Sequence, residues 1–109
     1  MGVDLYGSGG YFGFNWAGWR SALELAEAHG WQPAGTEPPI DPETGDELDR
    51  SWDGDYFSNG NQLVTGEDAA DLARALERAL PEMSSEDPRW NALILEFVRF
   101  CRTGEFRIL

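Results

Sequence analysis

Asp49-Arg50-Ser51-Trp52-Asp53-Gly54-Asp55 puts oxygen ligands at alternating positions with glycine sixth, the opening half of a calcium loop. Asp49, Ser51, Asp53 and Asp55 would be its first ligands. Position twelve, where a bidentate Glu belongs, is Gly60, so a complete EF-hand is excluded. A weak Ca²⁺ site closed by backbone carbonyls or a distant carboxylate stands beside a plainer reading. In that reading the loop is solvated and Asp53-Gly54 is a turn. No other cofactor is expected.

Other chemistry finds less support. Gly7-Ser8-Gly9-Gly10-Tyr11-Phe12-Gly13 has the glycines of a phosphate cradle, but the chain has no lysine to complete a phosphate loop. A hairpin turn accounts for these glycines. A carboxylate enzyme needs two acids at a set separation, one of raised pKa, and sequence does not show which acids pair. His29 and Cys101 stand at a helix end and in an apolar stripe, where structure explains each. No Gly-x-Ser-x-Gly elbow is present. No catalytic residue is assigned.

The charge is lopsided. Twenty Asp and Glu against eight cations, all Arg, give a net charge of −12 over 109 residues. Eight carboxylates fall in residues 37–55 with only Arg50 among them. Such a chain repels nucleic-acid phosphate and anionic lipid, and associates readily with basic surfaces. One cysteine excludes an internal disulfide. No signal peptide and no membrane-spanning run is visible, so a cytoplasmic location is expected.

These residues need elements to hold them. Runs 3–6 and 11–14 around the glycines predict a hairpin. Trp16, Trp19, Leu23 and Ala26 recur at helical spacing after Asn15 as a cap, and His29-Gly30 ends the helix. Four prolines between 33 and 42 exclude a helix there. Residues 33–60 read as one long acidic loop rich in proline and glycine, with Asp41-Pro42-Glu43-Thr44-Gly45 as a turn. Residues 62–64 suit a strand. Thr65 with Asp68 three residues on resembles a capping box for a helix over 67–80. Asp87-Pro88 opens a third helix with Trp90, Leu93, Ile94, Phe97, Val98 and Cys101 inward. Residues 106–109 suit a last strand. The expected fold is one α+β domain over 1–109, three helices packed on a small antiparallel sheet or hairpin.

The segment Trp52 to Leu80, with Asp53-Gly54-Asp55-Tyr56-Phe57-Ser58-Asn59-Gly60-Asn61-Gln62, Asp68-Ala69, Leu72-Ala73 and Ala75-Leu76-Glu77, together with Gly30-Trp31-x-Pro33-x-Gly35-Thr36, resembles a group of small uncharacterised bacterial proteins. The likeness covers under half the chain. It implies a bacterial origin and carries over no functional residue. In composition the chain is also similar to acidic immunity proteins, which neutralise toxins through surfaces rich in carboxylate and tyrosine.

The function expected is binding rather than catalysis: an acidic module, immunity- or inhibitor-like, engaging a basic protein partner. Asp41, Glu43, Asp46, Glu47, Asp49, Asp53 and Asp55 would steer the partner, and Trp52 and Tyr56 would anchor it. The anionic middle is expected to project into water. A carboxylate enzyme and a calcium module are the alternatives. A homodimer through the wide apolar face of the third helix is a further one.

Overall fold

Strands β1 (Gly2–Gly7) and β2 (Gly10–Asn15) form the expected hairpin, with Val3 opposite Phe14 and Leu5 opposite Phe12. Gly10 at the turn has φ of 95°, a conformation glycine adopts without a Cβ clash. The computed structural model describes residues 2–40, 43–46, 52–58, 60–83 and 87–109. Helix α1 (Trp16–Ala28) starts where the Asn15 side chain accepts the Gly18 N–H at 2.6 Å. It ends at His29 and Gly30. There Arg78 donates from Nε and Nη2 to the His29 carbonyl, at 3.0 and 2.9 Å, satisfying one of the orphan acceptors of a helix end.

The rest follows as β3 (Gln62–Val64), α2 (Gly66–Ala79), a 3₁₀ turn (Leu80–Glu82), α3 (Pro88–Cys101) and β4 (Phe106–Ile108). Helix α2 starts and stops one residue earlier than the sequence pattern suggests, and β4 stops at Ile108. The four strands form one antiparallel sheet in the order β2-β1-β4-β3. The last strand therefore sits between β1 and β3, and the sheet closes only when both ends of the chain are in place.

Alternation along the strands divides the sheet. Val3, Leu5, Phe14, Val64, Phe106 and Ile108 are buried toward the helices. Asp4, Tyr6, Tyr11, Leu63 and Arg107 lie on the opposite face, which no helix among the described residues covers. Helix α2 packs against both α1 and α3. Its fully buried Ala69, Ala73, Ala75 and Ala79 let backbones approach closely. Phe97 of α3 sits at the centre, its ring edge-on to Phe14 at 5.0 Å and to Trp19 at 5.8 Å. Phe100 is buried beside it, against Phe106. Most of the apolar face that would have served a homodimer is thus spent on the core, although Leu95 remains exposed.

One expectation is corrected. The ends of the acidic middle do not project. Trp31, Thr36, Pro39, Tyr56 and Gln62 are all buried. Glu37 exchanges backbone bonds of 2.8 and 3.0 Å with Leu63, extending the sheet past β3. Residues 43–46 are exposed throughout.

Candidate functional site

Two extended stretches, 31–38 and 52–58, lie side by side over the start of α2. They approach most closely at Gly35 and Gly54, both at positive φ (92° and 82°). A Cβ on Gly54 would sit 3.0 Å from the Gly35 Cα, a contact tight enough that the backbone there would have to give by a few tenths of an ångström. Gly54, the sixth residue of the calcium-like run, is therefore explained by this crossing. The Thr36 N–H donates to the Gly54 carbonyl at 3.2 Å.

Three buried polar side chains fasten the crossing to the body. Asp68 is the one buried carboxylate among the described residues. Its Oδ1 accepts the Trp31 indole N–H at 2.9 Å, and its Oδ2 accepts the Tyr56 hydroxyl. The Tyr56 oxygen accepts the Gly35 N–H at 3.0 Å. Thr36 donates from Oγ1 to the Asp55 carbonyl at 2.6 Å. Gln62 donates from Nε2 to the carbonyls of Asp55 and Ser58, at 3.1 and 2.6 Å, and accepts the Gly60 N–H at 2.9 Å. Burying such groups is tolerable only because each is hydrogen-bonded. Burial and the bond to Asp68 hold the Tyr56 phenol well above its ordinary pKa, with the Gly35 N–H acting the other way.

Above the crossing lies a groove of about 680 Å³ lined by Ala34, Gly35, Thr36, Glu37, Pro38, Trp52, Asp53, Gly54, Thr65 and Glu67. Glu37, Asp53 and Glu67 are exposed around it, and among the described residues no cation lines it. Trp52 is half-buried, its indole N–H shared between the Thr36 carbonyl and Oγ1, each at 3.1 Å. The described arginines are engaged or placed elsewhere. Arg20 lies 5.3 Å from the Phe57 ring centre, Arg74 pairs with Asp71, and Arg102 pairs with Glu77.

The structure thus sorts the predicted site residues. Trp52 and Asp53 line the groove. Asp55 does not: its carboxylate accepts the Phe57 N–H at 2.8 Å, and its carbonyl serves Thr36 and Gln62. Tyr56 is corrected from partner anchor to core residue, 7% exposed, its ring edge-on to Trp31 at 5.4 Å. Glu43 and Asp46 are exposed in 43–46. Asp41, Glu47, Asp49 and Ser51 lie outside the described residues, so the calcium run is described only from Trp52 onward. Among the described residues no three His, Cys, Asp or Glu side chains gather as a metal would need.

Sequence reasoning missed Glu37 and Glu67 as rim residues and Asp68 as the anchor. Asp68 was legible as the last residue of a capping box, three positions after Thr65, and Thr65 Oγ1 does accept its N–H at 3.2 Å. Its carboxylate, however, turns inward to Trp31 and Tyr56 rather than back to the cap. His29 and Cys101 are not joined. The His29 ring nitrogens meet the Leu25 carbonyl and Glu82, at 3.0 and 2.8 Å. Cys101 is buried, and burial pushes its thiol well above the ordinary value, far from the thiolate a nucleophile requires. No helix among the described residues is long and apolar enough to cross a membrane. No protein-family model, curated protein or solved structure matches this chain.

Proposed function

We propose that this protein is a binding module whose carboxylate-rimmed groove receives a basic protein surface. The observation that carries this reading is the convergence of Glu37, Asp53 and Glu67 on one groove with no cation among its described lining residues. Charge of one sign around a concave site raises the rate of encounter with an oppositely charged partner. Glu43 and Asp46 extend the field along 43–46, and Asp41, Glu47 and Asp49 belong to the same run of sequence. Trp52 supplies a ring already fixed by its bonds to Thr36, so little side-chain freedom is lost on docking.

The test follows association of an Arg-rich peptide and of a small basic protein by stopped-flow tryptophan fluorescence at rising salt. The expected on-rate falls about tenfold or more toward physiological ionic strength. The Glu37→Gln/Asp53→Asn variant is expected to bind more slowly at low salt while melting no lower than the parent. Glu67 is left intact because a carboxylate in the first turn supports α2. Absence of binding, an on-rate indifferent to salt, or a double variant as fast as the parent would overturn the reading.

A further inference from the structure

The two edges of the sheet are treated differently. At β3 the outer edge is met by Glu37. At β2 no described strand pairs with the outer edge, and Gly10-Tyr11-Phe12-Gly13-Phe14-Asn15 holds no charge and no proline, the usual devices that protect an edge strand. The direction of its free backbone groups follows from β1. Asp4 exchanges both backbone bonds with Leu109, so Asp4 points toward β4. Backbone groups alternate sides along a strand, so Val3 and Leu5 point to β2, where they face Phe14 and Phe12. On β2 the intervening residues, Tyr11 and Gly13, must then turn their N–H and C=O groups outward. No backbone bond from another described element reaches them.

We infer that this edge is a self-association surface, taken by β2 of a second copy of the chain in antiparallel register about Phe12. A two-fold axis at Phe12 sets Tyr11 opposite Gly13 of the other copy and Gly13 opposite its Tyr11. Both pairs then expose matching groups, giving four backbone hydrogen bonds. Phe12 meets its own counterpart across the axis as a non-hydrogen-bonded pair, where side chains approach most closely. Phe12 is only partly buried in the single chain, though its ring already touches Phe14, Phe97 and Phe100. The second copy would cover the remaining surface. On the open face, Tyr11 would lie beside a glycine. Its hydroxyl already reaches over Gly13 of its own strand, where an added Cβ would come within 2.5 Å of it.

A second copy suits this strand because the strand is uncharged. The strand itself brings no charge to the axis, although Asp87 lines the cavity beside Gly13 and Asn15 and each chain carries −12 overall. The acidic groove lies by Glu37 and β3, the opposite edge of the sheet, and would stay open in both copies. The two surfaces have opposite responses to salt. Screening weakens capture of a basic partner, but it strengthens pairing of two anionic chains.

Sedimentation equilibrium of the full chain tests the inference. The expected mass rises with concentration from 12.2 kDa toward twice that value, more readily at high salt. Gly13→Pro removes one donor from each of the two bonded pairs and is expected to weaken the dimer at least about tenfold, with folding checked by near-UV circular dichroism. Phe12→Cys is expected to give a disulfide-linked dimer on mild oxidation, and Tyr6→Cys, one strand further in, is not. A chain that stays monomeric at every concentration and salt overturns the inference and leaves the edge to a foreign strand. A dimer undiminished in folded Gly13→Pro overturns it equally. If Gly13→Pro fails to fold, the cross-link decides: no linked dimer from Phe12→Cys ends the proposal.

Discussion

Asp68 does two jobs at one position. Its backbone N–H is capped by Thr65, and its carboxylate holds Trp31 and Tyr56 from two distant stretches of chain. The sequence signalled the first role, because Thr-x-x-Asp is a local pattern. It was silent on the second, because partners 37 and 12 residues away are brought together only by folding. Tyr56 carries a pH signature of this arrangement. Its phenol ionises above its ordinary value in the folded chain and near pH 10 in the unfolded one. The stability supplied by its hydroxyl is therefore complete below about pH 10 and is lost as the pH climbs toward the folded value. Tyr56→Phe is expected to cost about 1.5–3 kcal/mol at neutral pH, the worth of a hydrogen bond to a charged group. Denaturant unfolding of both forms should show that gap constant to about pH 10. Above that it should narrow by up to about 1.4 kcal/mol per pH unit. A gap that does not change would remove the hydroxyl from the account.

At the scale of elements, regular segments announced themselves and the crossing did not. The helical stripe of α3 and its Asp87-Pro88 start are contiguous in sequence, and the structure places them over Pro88–Cys101, with Asp87 accepting the Trp90 N–H at 3.1 Å. The stretches 31–38 and 52–58 have no period, since their order comes from side-chain bonds rather than repeating backbone bonds. Their glycines invited a calcium-loop reading for the same reason: Gly54 needs positive φ whether it turns around a metal or passes over Gly35. A comparison of alanine substitutions separates the positions. Gly54→Ala meets both a φ of 82° and the Gly35 backbone, and is expected to lose more than about 1 kcal/mol. Gly45→Ala shares the positive φ (75°) but has open space around it, so its loss should be smaller. Thermal melts of the two variants give the order, and equal losses would show that the close approach is without consequence.

For the whole molecule, net charge sets the response to ions. A compact chain at −12 repels itself, and salt relieves the repulsion. The melting temperature is expected to rise as salt is added from low ionic strength. Glu37→Gln/Asp53→Asn, at −10 after two carboxylates are removed from −12, should show a shallower rise. Differential scanning calorimetry across a salt series checks both, and a melting temperature that falls on adding salt would mean that specific ion pairs outweigh the general repulsion. The proposed partner binding and the proposed pairing of β2 edges draw on this same field with opposite signs, so one salt series distinguishes them.

The sequence by itself determined the α+β class, the hairpin, three helices with their caps, and the acidity of the middle, because each rests on contiguous residues or on composition. It did not determine which way that middle faces. Tertiary structure decided this, by setting Trp31, Thr36, Tyr56 and Gln62 against the body around Asp68 while leaving Glu37, Asp53 and Glu67 at the rim of the groove. Burial of a polar or aromatic side chain depends on partners far along the chain, and no local spacing encodes them. The same holds for the sheet edge: that β2 is an outer strand of the described sheet follows only from β4 inserting beside β1 on the other side.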